Sequence, residues 1–169
     1  MSERLVTEDT ATQIDFREAM AHLASAVSIL TTSGVAGCVG LTVSSVTSVS
    51  DMPPTLLVCI NQNSEIHDII QQNSNVTINI LKPEQRSLAL HFAAMADSSM
   101  EERLSWDIWQ LGENGVPSLS NALVNLEGKI IADNRIGTHS VFFIQIQRIQ
   151  IQKGDALLYF NRTFKTLAL

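Results

Sequence analysis

The run Gly40-Leu41-Thr42-Val43-Ser44-Ser45-Val46-Thr47-Ser48-Val49-Ser50, with Asp51-Met52-Pro53-Pro54 and Thr55 to Ile60 after it, constrains the fold of this chain more than any other stretch. Its β-branched residues predict extended backbone, and the prolines interrupt the ladder because they bring no amide proton to it. Leu41 and Val43 share one parity, Val46 takes the other and Val49 returns to the first, so a regular strand would turn apolar groups to both faces. A bulge or sharp bend is therefore expected inside the run. The six hydroxyls on Thr42, Ser44, Ser45, Thr47, Ser48 and Ser50 supply short donors and acceptors without fixed charge. Such a strand is either a solvent-facing polar edge or the wall of a pocket for a flat, polar-edged heterocycle; a phosphate or a metal suits it less well.

Strands dominate the rest of the chain. Ala26 to Thr32 reads as a strand that turns through Gly34-Val35-Ala36-Gly37 into the hydroxyl-rich run. Asn75 to Leu81, Val124 to Ala132, Val141 to Ile151 and Ala156 to Phe160 follow, and Phe142, Ile144 and Ile146 alternate with Phe143, Gln145 and Gln147 at period two. Helices are expected after Asp15 as cap, with Phe16, Met20 and Leu23 on a buried face, from Ser64 as cap to Gln72, and from Pro83 with Leu88, Phe92 and Met95 on one side. Residues 1–12 read as a loose arm before a single domain over 13–169, and residues 97–115 give little regular signal. The strands are not interleaved with helices in a βα rhythm, so a small antiparallel barrel is expected and a doubly wound parallel sheet is not.

The chain has 169 residues, a net charge of −6 and no cluster of Lys or Arg, which argues against nucleic acid or an anionic membrane as partner. No segment approaches a membrane span, and the charged N-terminus lacks the apolar core of a secretory signal, so a cytoplasmic protein is expected. Cys38 and Cys59 form no CxxC pair and are expected as reduced thiols; His22, His67, His91 and His139 lack the spacing of metal ligands, and no metal is expected. His22, His67 and His91 read as surface or helix-edge residues. Gly34, Gly37 and Gly40 form GxxGxxG rather than the GxGxxG of a dinucleotide-binding turn.

Read together, Thr31-Thr32, the hydroxyl run, Asn61-Gln62-Asn63-Ser64, Phe16-Arg17-Glu18-Ala19-Met20, Glu101-Glu102-Arg103, Leu126-Glu127-Gly128, Gly137-Thr138-His139 and Leu158-Tyr159-Phe160 resemble the short-chain flavin reductase family over most of the chain. None of these motifs is specific alone; their order and spacing are. The resemblance implies a mainly β fold, a Greek-key split barrel with flanking helices, that pairs into a homodimer. It implies an NAD(P)H:flavin oxidoreductase that reduces FAD or FMN with NADH or NADPH. The reduced flavin would pass, without need of a stable complex, to a separate oxygenase that hydroxylates an aromatic compound of the 4-hydroxyphenylacetate type. A reductase serving a different two-component oxygenase and a non-catalytic flavin-binding module are the alternatives.

The resemblance also carries flavin binding onto Thr31, Thr32, Thr42, Ser44, Ser45, Thr47, Asn61 and Ser64, and brings Arg103 and Tyr159 toward a cofactor, although Leu104 stands where the family more often has phenylalanine. On the residues alone, Asn61 and Ser64 flank a strand-to-helix junction suited to an anionic group, and simple capping by Ser64 is the competing account. Gly137 and Thr138 lift His139 out of a turn at the head of a strand; in the resembled family that position lies beside the nicotinamide nucleotide and the flavin. A positioning role is expected there, since hydride transfer asks chiefly that the two rings be stacked. Trp106 and Trp109 read equally as lid residues or as core cover.

Overall fold

The computed structural model describes residues 12–169, so the expected arm lies, except for Thr12, outside the described residues. Thr12 opens the first helix, α1 (Gln13–Ala21), by accepting from the Asp15 amide at 3.1 Å. The cap is therefore Thr12, and Asp15 instead occupies the first turn, where a carboxylate complements the helix dipole. The chain continues through β1 (Ser25–Ala26), β2 (Ser28–Gly34), β3 (Gly37–Val43), β4 (Val46–Asp51) and β5 (Pro54–Asn61). Next come α2 (His67–Asn73), β6 (Asn75–Ile80), a 3₁₀ turn over Pro83–Gln85, α3 (Arg86–Phe92) and α4 (Met100–Ser105). Short strands β7 (Trp109–Leu111) and β8 (Pro117–Leu119) precede β9 (Val124–Ile136), β10 (His139–Ile151), β11 (Ala156–Phe160) and β12 (Thr163–Leu167).

Seven of these strands form one antiparallel sheet in the order β3-β2-β6-β9-β10-β5-β4. Its two edge strands are consecutive in the chain, and only Ser44 and Ser45 separate Val43 from Val46. A sheet whose opposite edges are joined by two residues must curl until those edges meet, and the result is a split barrel, as expected. The single hydroxyl-rich strand read from the sequence is thus two strands on either side of the split. The expected bend falls at Ser44-Ser45, and a bulge follows between Ser48 and Ser50. A smaller sheet, β1-β11-β12, and the β7–β8 hairpin pack outside.

Alternation along the strands separates two cores. Leu30, Leu56, Val58, Ile60, Ile78, Phe142 and Ile144 fill the barrel, with Ile70 of α2 plugging one end. Val27, Ile29, Leu81, Leu88, Phe92, Leu119 and Leu157 form a second cluster between the barrel wall, α3 and the outer strands. Each such side chain contributes about 1.5–3 kcal/mol on burial. Gly40 permits the second cluster to close, because a Cβ there would meet the Phe92 ring at 2.9 Å.

Other expectations are corrected. Helix α2 starts at His67, with Ile66 at the cap position and no side-chain cap, so Ser64 caps nothing. Met95 lies beyond α3 and is exposed. The stretch 97–115 contains α4, capped by Ser99 through the Glu102 amide, and β7. His67 is 1 % exposed and is no surface residue. Phe16 and Met20 of α1 and Leu23 just beyond it are exposed at 61 %, 46 % and 63 %, so the expected buried face is not covered by the described residues. Among the described residues no helix is long and apolar enough to cross a membrane.

Candidate functional site

The barrel split opens onto a long groove. Three contiguous hollows of about 630, 600 and 500 Å³ run along the end of β3, the Ser44-Ser45 link and the start of β4. They share Ser44 and Tyr159 at one junction and Thr42 and Ala93 at the next. The alternation of β5 helps build the floor: Leu56, Val58 and Ile60 point into the barrel, which leaves Leu57 and Cys59 facing the groove. Residues 24–26 beside α1, the β11–β12 turn, and the segment joining α3 to α4 form the banks.

Of the residues singled out from the sequence, Thr42, Ser44, Ser45, Thr47, Ser64, Arg103 and Tyr159 come together along this groove. Their hydroxyls are not equivalent. Thr42 Oγ1 donates to the Ala89 carbonyl at 2.7 Å, and Ser45 Oγ donates to the Cys59 carbonyl at 3.0 Å while accepting from its amide. Those two groups stitch the split to α3 and β5. Ser44 and Thr47 are exposed and, among the described residues, have no side-chain hydrogen-bond partner, so their hydroxyls are free for a ligand.

Thr31 and Thr32 are not brought to the groove. Both are wholly buried in β2, whose two faces are covered by the two cores. Thr31 Oγ1 donates to the Pro117 carbonyl and Thr32 Oγ1 to the Asn75 carbonyl, each at 2.6 Å. Asn61 uses its side chain on the Asn63 amide at 2.9 Å, and the strand-to-helix junction has no helix end at Ser64 to concentrate a dipole. Asn61 instead stands opposite His139 in the β5–β10 register, at the barrel end where Ser64 borders the third hollow. Gly137, at φ 56°, makes the turn that delivers His139, and His139 Nδ1 lies 2.8 Å from Thr138 Oγ1.

Arg103 is buried and held by Ser98, with Nε donating to Oγ at 2.7 Å and Nη2 to the carbonyl at 2.6 Å. The tryptophans cover the core: the Trp109 ring lies edge-on to Phe92 at 5.6 Å and its Nε1 donates to the Arg103 carbonyl, while Trp106 packs on His91 at 5.0 Å. Arg86, Arg162 and Phe164, which no motif in the sequence singles out, line the middle hollow. Arg86 lies 5.3 Å over the Phe164 ring, and Phe164 meets Tyr159 edge-on. Arg162 sits in a left-handed turn with Asn161 and pairs with Glu18 at 2.8 Å; the guanidinium holds the Glu18 carboxyl below its usual range and is itself raised. The Asn161-Arg162 pair was the available signal, since φ above zero favours Asn at a hairpin turn. Of the three arginines on the groove, Arg162 is paired with Glu18 and Arg103 is tied to Ser98, which leaves Arg86 as the guanidinium without an ion-pair partner among the described residues and the one best placed to meet an anion. Burial raises the Cys59 thiol above its ordinary range.

Known proteins share this architecture. The profile of the flavin reductase like domain matches residues 20–168. The 4-hydroxyphenylacetate 3-monooxygenase reductase component of Pseudomonas aeruginosa is 44% identical over 153 residues, 90% of each chain. The FMN reductase (NADH) RutF of Pseudomonas syringae is 39% identical, over 92% of this chain and 86% of its own. The NADH:FAD oxidoreductase SgcE6 of Streptomyces globisporus, solved in complex with NAD and FAD fragments, superimposes with a TM-score of 0.85 at 25% identity, over 97% of this chain and 98% of its own.

Proposed function

The chain belongs to the flavin reductase like domain family, and on that premise we propose that it oxidises NADH or NADPH, reduces FAD or FMN, and releases the reduced flavin to a separate oxygenase acting on 4-hydroxyphenylacetate or a similar phenol. The observation that carries this reading is the groove: neutral, unspent hydroxyls at its centre, an aromatic pair beside them, and guanidiniums along it. That donor set fits a flavin. Ser44 and Thr47 would bond the polar edge of the ring system, and Arg86 and Arg162 would hold its phosphate. When bound, the flavin supplies the hydride acceptor, N5, for C4 of the reduced nicotinamide.

The chain's own share is binding and orientation. Hydride transfer needs the reacting rings about 3–3.5 Å apart and aligned, and a groove walled on both banks enforces such stacking. Thr138 occupies Nδ1 of His139, which leaves Nε2 to meet the nicotinamide nucleotide at the barrel end. We read His139 as a positioning residue, because the hydride passes between the two rings and asks no proton of the imidazole. The exposed Phe16 and Met20 of α1 and Leu23 just beyond it, the last two lining the first hollow, support a homodimer that would complete the groove's bank. The free thiols Cys38 and Cys59 agree with a cytoplasmic setting.

A reductase that serves another oxygenase is the second reading; the 39% identity to an FMN reductase (NADH) supports the same flavin chemistry, which would be unchanged in this chain. Steady-state oxidation of NADH and of NADPH with FAD, FMN and riboflavin in turn tests the proposal. Turnover that requires added flavin supports it. A spectral shift of the flavin without turnover would identify a binding module instead.

A further inference from the structure

The turn that presents His139 is gripped from two sides by residues outside it. On one side, the Gln62 amide donates to the Thr138 carbonyl at 2.9 Å, and its side-chain Nε2 donates to the carbonyls of His139 at 2.9 Å and Gly137 at 3.3 Å. On the other side, Ser140 Oγ lies 2.8 Å from Nε2 of His67, whose Nδ1 lies 2.8 Å from the Asp68 carboxylate. A carboxylate oxygen only accepts, so Nδ1 donates to it; in the neutral ring Nε2 is then the acceptor for the Ser140 hydroxyl.

Ser140, His67 and Asp68 thus stand in the order of a hydrolytic triad, but they do not form one. Ser140 and His67 are each 1 % exposed, within the plugged end of the barrel, and no substrate reaches the hydroxyl. What the chain does reach is the backbone next to His139. With the His139 carbonyl held by Gln62, residue 140 held by His67, and its own Nδ1 held by Thr138, the imidazole has little freedom left.

We propose that Gln62, His67 and Ser140 are positioning residues that fix the Gly137-Thr138-His139 turn so that Nε2 of His139 meets the nicotinamide nucleotide in one orientation. The proposal rests on the reading of His139 as the nicotinamide-side residue. A buried, directional chain suits the task because a misplacement of about 1 Å at a stacked pair costs on the order of a hundredfold in rate.

The test is a cycle of Gln62→Met, Ser140→Ala, His67→Leu and His139→Ala, with stopped-flow flavin reduction, the KM for NADH and a flavin titration read for each. Gln62→Met and Ser140→Ala should each slow hydride transfer or raise the KM about tenfold, with flavin Kd unchanged, because a clamp acting at the turn shifts one ring and not the other. His67→Gln, whose amide oxygen can still accept from Ser140, should recover most of what His67→Leu loses. Adding Gln62→Met to His139→Ala should cost nothing further, since residues acting through one group are not additive. If the leucine variant fails to fold, Gln62→Met carries the test, because that side chain is only half-buried. Additive losses in the double variant, or wild-type rates in both Gln62→Met and Ser140→Ala beside a slow His139→Ala, would overturn the proposal alone. A wild-type rate and KM in His139→Ala would overturn the reading beneath it, and the proposal with it.

Discussion

Replacing Ser44 and Thr47 together by valine removes the two groove hydroxyls that the protein does not use for itself. Thr47 lies in β4, where valine is as favourable as threonine, and Ser44 lies exposed in the two-residue link between the barrel edges, so neither change opens a cavity. Each lost neutral hydrogen bond is worth about 0.5–1.5 kcal/mol, so the pair removes about 1–3 kcal/mol of flavin binding. That corresponds to a rise in flavin Kd of roughly fivefold to somewhat over a hundredfold. Thr32→Val is the matched control: its hydroxyl serves the Asn75 carbonyl, and its loss should lower stability by about 1–3 kcal/mol while leaving flavin Kd unchanged. Flavin fluorescence titration at fixed ionic strength, with thermal unfolding of each variant, reads both quantities. An unchanged Kd in a folded Ser44/Thr47 double variant would refute the reasoning, as would a Thr32→Val variant that loses flavin affinity at full stability.

Two further outcomes follow from the same geometry. Desolvation disfavours the Cys59 thiolate, so alkylation of Cys59 should be slow at neutral pH and accelerate only as the pH climbs past the ordinary thiol range; saturating flavin should protect Cys59, which lines the groove, and spare no reagent at Cys38, as peptide mass mapping would show. Sedimentation should give a species of twice the chain mass, shifted toward monomer by charged replacements at the exposed Phe16 and Leu23; a fully active monomer of the unaltered protein at micromolar concentration would contradict the dimer.

Much of the barrel is legible in the sequence because period two is a local property. Phe142 and Ile144 are inward where alternation puts them, and the parity shift across Leu41, Val43 and Val46 does mark a break. The break's meaning is not local: that Ser44-Ser45 joins opposite edges of a sheet depends on which strands pair. The same limit separates Thr31 and Thr32 from Ser44. All three are hydroxyls near one another in sequence, but the acceptors that take Thr31 and Thr32 out of the site lie 86 and 43 residues away. Helical spacing puts Phe16 and Met20 on one side of α1, yet spacing cannot say whether a surface lies opposite, and the described residues supply none. The Ser99-x-x-Glu102 cap of α4 was readable and was hidden by the shortness of the helix, while His67 could not be recognised as buried before Ser140 was placed beside it.

The most direct measurement mixes the protein anaerobically with free FAD or FMN and NADH or NADPH and follows the flavin's visible absorbance. Bleaching is expected at a rate that saturates with nicotinamide nucleotide, together with transfer of the reduced flavin to an oxygenase added afterwards across a dialysis membrane, as the proposed reductase activity requires. Flavin that binds and keeps its oxidised spectrum in the presence of both nucleotides would contradict it.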